Sequence, residues 1–190
     1  MAEPSLLAGS IDTFLEQLAS PDPTPGGGAV AALAGALAAS LGQMACGLTI
    51  GNVKFADVEP QVSRIAARLN RSTLLLKRLI DEDAAAYTEL SATFKLDRSE
   101  PKRKKRIRQA AGLAAAVPLE TVAFSRQVLA DLRRLEPIAN PNLRSDVEAA
   151  VHLAQAAMDA AAANVRVNLP LLPDAQAQQV GDELDQLLAG

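Results

Sequence analysis

From Pro23 to Val53 the chain carries no charged side chain, and the stretch opens with Pro23–Thr24–Pro25–Gly26–Gly27–Gly28. Proline fixes the incoming backbone and is excluded from a regular helix interior. The three glycines permit turn geometry and let another backbone or a ligand approach closely. The following residues, Ala29–Ile50, are almost all Ala, Gly, Leu, Val or Ile. They predict a helix buried on every side. A buried helix that opens from bare glycines presents unpaired N–H groups at its start, where an anion or a carboxylate is favoured.

Such a helix passes the length test for crossing a bilayer. Its Ala and Gly content, the lack of Trp or Tyr at its ends and the lack of an adjoining Lys/Arg cluster argue for a soluble, buried helix instead. Ala31, Gly35 and Ala39 recur every fourth residue, which allows tight helix crossing. Hydrophobic residues make up 49% of the 190 residues but aromatics only 3%, so the core must be built from Ala and Leu at close approach. A helix needing cover on all sides in so small a chain predicts a homodimer. The length fits one domain over 1–190. A formal net charge of −3 gives no general attraction to nucleic acid or anionic lipid. The single Cys excludes an intramolecular disulfide, no secretory pattern opens the chain, and a cytoplasmic location is the expectation.

Helical punctuation accounts for the rest. Ser10 is placed to cap a short helix that the prolines at 21–25 end. Gly51–Asn52 stops the apolar helix, and a long amphipathic helix is expected from about Asp57 to about Leu96. The next begins near Ser99–Pro101, with Pro118 expected to kink or break it before Leu119–Leu135. Asn140–Pro141–Asn142 reads as a loop, and Ser145 with Glu148 as a capping box for a helix to about Leu169. Pro170 and Pro173 close that helix before a last amphipathic one. No segment alternates with period two. The expected fold is all-α, a bundle of about six helices around the Ala/Gly-rich one.

The inventory narrows the chemistry. One His and one Cys cannot build a zinc site of His and Cys ligands, and no carboxylates stand at a recognisable metal spacing. Cys46 reads as buried packing and His152 as a surface or boundary residue. No nucleophilic triad, phosphate loop or dinucleotide fingerprint is present. One carboxylate stands out by helical arithmetic. With Leu79 at 0°, Leu76, Ile80, Tyr87, Leu90 and Phe94 span about 0–100°, and Asp83 falls near 40°. Asp81 and Glu82 fall outside that stripe and read as outward-facing. A carboxylate in an apolar stripe is an acid–base or cation-holding candidate, or else a structural partner for an Arg or a helix N-terminus.

A second constellation is Asn140–Asp146 with Asn164 and Asn168 in the helix it opens. The two amides share a face with Ala150, Ala157 and Ala160 and need hydrogen-bond partners. Asp146 suits a helix's first turn electrostatically. The run Lys102–Arg108 reads first as a solvated helix face, with attraction of a polyanionic tail as the alternative and nucleic acid last.

These residues also carry a resemblance. PTPGGGAVAALAGALAASLGQMACGLTIG, DEDAAAY (81–87), AVPLE (116–120), NPNLRSD (140–146) and NVRVNL (164–169) are similar, in this order, to the cyclodeaminase/cyclohydrolase family. That family includes the cyclodeaminase domain of formiminotransferase-cyclodeaminase and bacterial methenyltetrahydrofolate cyclohydrolases. The resemblance runs from about Ile11 to Leu169. After the Thr49–Ile50–Gly51 turn the family carries a basic pair or triplet and an aromatic; this chain has Asn52, Val53, Lys54 and Phe55, with one positive charge.

Membership implies an all-helical homodimer acting on a tetrahydrofolate derivative, with no permanently bound cofactor and no metal. The first reading is hydrolysis of 5,10-methenyltetrahydrofolate to 10-formyltetrahydrofolate, since no formiminotransferase domain accompanies the chain. The alternative is formiminotetrahydrofolate cyclodeaminase, releasing ammonia. A third reading, favoured by the reduced charge at Asn52–Phe55, is a non-catalytic folate-binding or assembly module. The resemblance implies catalytic roles for Asp83 and Asp146. It implies substrate-binding roles for Pro25, Gly26, Gly27, Gly28, Lys54, Asn142, Asn164 and Asn168.

Overall fold

The computed structural model describes residues 5–189, and the described residues contain no strand. Six helices follow one another: α1 (Ile11–Ala19), α2 (Gly27–Gly47), α3 (Glu59–Phe94), α4 (Arg103–Leu135), α5 (Arg144–Asn168) and α6 (Asp174–Ala189). Ser10 caps α1, its hydroxyl accepting from the Thr13 N–H at 3.0 Å. The uncharged segment becomes α2, two residues earlier at its start and three shorter at its end than the sequence predicts.

Side-chain meetings fix the topology. Gly35 of α2 faces Leu76 of α3 and Ser125 of α4, while Gly42 faces Leu69 and Leu132 of the same helices. Rising α2 numbers therefore meet falling α3 and rising α4 numbers. At the two ends of α2, Gly27 meets Asn164 and the Thr49 hydroxyl accepts from the Asn140 N–H, so α5 runs against α2. The four long helices alternate in direction, and α2 packs most heavily on α3 and α5. The glycines set its depth: a Cβ on Gly42 would lie 2.5 Å from Leu132 and 2.9 Å from Leu69. Across the α3–α4 seam the fully buried Asp131 accepts both oxygens' worth of bonding from Arg68 Nε, at 2.9 Å each, with Gln127 and Arg134 beside it. This satisfies a buried charge that would otherwise be costly. Burial, helped by the charge of nearby Asp131, pushes the Cys46 thiol up to about 11.

Four expectations need correction. First, α4 does not break: Pro118 lies inside a continuous helix. Second, Ser145 caps nothing. A 3-10 turn at Pro141–Leu143 feeds directly into α5, whose N-cap is Leu143, and the capping at this corner comes from Asn140, whose Oδ1 accepts from the Asn142 N–H. Third, α2 is not covered on every side within the chain. Leu37, Met44 and Leu48 are 52%, 41% and 54% exposed, with Val30, Leu33 and Leu41 half-buried in the same row. Fourth, Asp81 is not a free outward acid: it is half-buried and its Oδ1 accepts from the Leu6 N–H at 2.8 Å, while Glu82 pairs with Arg78.

Part of the basic run is structural as well. Arg103 donates to the Leu96 and Phe94 carbonyls at 3.1 and 3.3 Å, closing the C-terminus of α3. Lys104, Lys105 and Arg108 line an open groove against Pro173 and Gln176. His152 is exposed.

Candidate active site

The N-terminal end of α2 meets α3, α4 and α5 around a cavity of about 230 Å³. Its walls include Thr24, Gly26, Gly27, Gly28, Asp83, Tyr87, Ala114, Asn164, Val167 and Asn168. Two of the glycines, Gly27 and Gly28, are there for steric reasons. A Cβ on Gly28 would collide with the Asp83 carboxylate, and one on Gly27 would lie 3.3 Å from Asn164 Nδ2. The bare turn thus lets α3 and α5 bring polar groups against the first turn of α2.

Asp83 is the one carboxylate among the lining residues. Burial raises its pKa above the ordinary carboxylate value of 3.8, and the Ala29 N–H at the start of α2 opposes that shift. Desolvation therefore outweighs the helix terminus. The group titrates closer to neutrality than a surface acid, which suits it to taking and returning protons.

The amides are held by backbone. Asn164 Nδ2 donates to the Ala160 carbonyl at 2.9 Å. Asn168 Nδ2 donates to the Asn164 carbonyl at 2.9 Å and to the Ala114 carbonyl of α4 at 2.8 Å. The last bond explains why Pro118 is tolerated. In a regular helix the Ala114 carbonyl would accept from the N–H four residues on, and proline has none. Asn168 supplies the missing donor, and in doing so is anchored at the cavity wall.

Of the residues singled out from the sequence, Gly26, Gly27, Gly28, Asp83, Asn164 and Asn168 meet here. Pro25 is buried behind the wall, preceded by a cis peptide from Thr24. Lys54, Asn142 and Asp146 do not join them within one chain. They lie beyond the other end of α2, where Asn140 bonds to Thr49, and the helix between is roughly 30 Å long. Sequence reasoning passed over Tyr87 and Thr24. Tyr87 sits one turn after Asp83 and falls in the apolar stripe by helical arithmetic, yet it is 45% exposed at the cavity. Its position as the chain's one tyrosine, four residues from the marked acid, was the available signal. Among the described residues no group of three His, Cys, Asp or Glu side chains stands close enough to hold a metal ion.

Comparison with known proteins gives this site a context. The family model described as formiminotransferase-cyclodeaminase matches residues 10–186. The chain belongs to this family. Methenyltetrahydrofolate cyclohydrolase of Methylorubrum extorquens is 36% identical over 185 residues, covering 95% of this chain and 89% of that protein. Formimidoyltransferase-cyclodeaminase of Rattus norvegicus is 28% identical over 90% of this chain, which spans 32% of that longer protein. The crystal structure of formiminotetrahydrofolate cyclodeaminase from Thermotoga maritima superimposes with a TM-score of 0.88 at 28% identity, over 97% of this chain and 90% of that one. The family thus includes both a cyclohydrolase and cyclodeaminases with which this all-helical chain shares most of its length.

Proposed function

We propose that the chain is a one-carbon tetrahydrofolate enzyme that hydrolyses 5,10-methenyltetrahydrofolate to 10-formyltetrahydrofolate. The observation that carries this reading is Asp83: the one carboxylate, half-buried and raised in pKa, in a cavity whose described lining contains no Lys or Arg. Such a site favours a cation. The methenyl substrate is a delocalised cation across N5 and N10, and its bridging carbon is already electrophilic. Water adds to that carbon as the Asp83 carboxylate takes a proton from it. The carbon–N5 bond then breaks, N5 receives a proton and the formyl group stays on N10. One proton is released overall. Asn164 keeps one amide N–H beyond its bond to Ala160 for the developing carbonyl oxygen. Asn168, whose two N–H groups are spent on backbone carbonyls, offers its Oδ1 to the water, and Tyr87 lines the same cavity as an aromatic neighbour for the cation.

The higher identity to the Methylorubrum cyclohydrolase favours hydrolysis over cyclodeamination. The similarity to the Thermotoga cyclodeaminase keeps the second reaction in view, since closing formiminotetrahydrofolate passes through the same cation. Purified protein should bleach the methenyl chromophore faster than buffer; its appearance from the formimino substrate identifies the alternative. Asp83→Asn keeps shape but removes the titratable group, so kcat should fall roughly 10²–10⁴-fold. Folate binding without turnover would support a non-catalytic module, and no effect on either folate together with no binding would end this reading.

We further propose that the enzyme works as a cytoplasmic homodimer. Support comes from the apolar row Val30–Leu33–Leu37–Leu41–Met44–Leu48, which the single chain leaves open. In this reading Asp146, Asn142 and Lys54, which stand at the far end of α2 within one chain, take up their proposed catalytic and substrate-binding roles from the second copy, with Lys54 directed to a folate carboxylate.

A further inference from the structure

A second cavity, of about 380 Å³, lies beside the first, and Thr24 lines both. Asp83 and Tyr87 of α3 face the smaller cavity, while Asp81, Ala84, Ala85 and Thr88 of the same two turns line the larger. At about 100° per residue the two sets occupy neighbouring faces of one helix. The alanines keep the wall between them low. Neither cavity has a Lys or Arg among its described lining residues.

Asp81 is held in a defined orientation. Its Oδ1 accepts from the Leu6 N–H at 2.8 Å, and Oδ2 has no protein partner among the described residues. It forms no ion pair among them either, in contrast to Glu82 next to it. A fixed, unneutralised carboxylate beside small, uncharged side chains suits a flat group with two adjacent N–H donors.

We propose that Asp81 and this second cavity bind the pterin ring, the carboxylate pairing with its ring N–H and adjacent 2-amino group. This rests on the folate reading above and adds where the substrate's head is held. The pterin lies over Ala84 and Ala85, and the bridging carbon reaches past Thr24 toward Asp83. Asp81 is then a binding residue, separate from the acid–base work of Asp83 two residues on.

The test compares tetrahydrofolate with its 2-desamino-2-methyl analogue by equilibrium titration, and wild type with Asp81→Asn by kinetics. An asparagine oxygen still accepts from Leu6, so a purely structural tether survives the change. Expected are weaker binding of the analogue by wild type, on the order of 10–100-fold, and loss of that discrimination in Asp81→Asn. The same variant should raise KM by on the order of 10–100-fold while kcat stays within about threefold. Equal binding of the two ligands by wild type overturns the subsite even if the variant fails to fold. An unchanged KM, or a fall in kcat like that of Asp83→Asn, also overturns it. A wild-type protein that neither binds nor converts folates removes the proposed function and this subsite together; turnover without discrimination removes the subsite alone.

Discussion

Asp83 is held where its charged form is disfavoured, and that has a sign in stability as well as in catalysis. Burial raises its folded-state pKa above the ordinary 3.8. Between the two values the native state binds more protons than the unfolded chain, so stability falls as pH rises through that window and stays reduced above it. Asp83→Asn should therefore raise the melting temperature at pH 7. The gain should shrink toward zero as pH drops below the ordinary carboxylate value, as thermal melts across pH will show. In the wild-type enzyme, kcat/KM should fall on the acid side with a midpoint above 3.8, where Asp83 becomes protonated. This residue was legible because helical arithmetic alone puts a charge inside an apolar stripe. Asp81 was misread by the same arithmetic: angle around an axis says nothing of a distant segment, here Leu6, folding back over that face.

Helix α4 shows how two elements repair one another. Proline in a helix interior leaves a carbonyl without its donor, and reading the rule from one helix alone predicts a break at Pro118. The donor arrives from the end of α5, 54 residues along the chain. Asn168→Ala should strand the Ala114 carbonyl and cost about 1–3 kcal/mol. In a Pro118→Ala background the restored N–H serves that carbonyl, and the cost should drop well below that. Urea melts of the four proteins form a double-mutant cycle, and strictly additive changes would contradict the coupling. The helices themselves were readable from periodicity and caps, whereas partners supplied by tertiary packing were not. The order of the motif blocks likewise carried no sign of which end of the bundle each occupies. Asp83 and Asn164 therefore meet while Asp146 and Lys54 stand at the far end of α2.

At the scale of the whole molecule, the open row on α2 is where the proposed dimer would form. Leu37 lies near the middle of that row. Leu37→Glu puts a charge where a copy of the chain would pack. Sedimentation should show wild type at twice the chain mass of 19.9 kDa and the variant at the chain mass, with helical circular dichroism retained. Wild type sedimenting as a stable single chain at micromolar concentration would end the dimer proposal. The uncharged stretch announced a central helix correctly, but not that one of its faces would remain open. The order of the helices has a further consequence, for synthesis. The most apolar helix is made early, and α5, one of its two main covers, is complete only at Asn168. At ribosomal speeds α2 waits roughly 6–24 s after Gly47 is made before Asn168 is added. Over that interval one side of the nascent chain's greasiest helix stands unsealed, and the last long helix to appear closes that side.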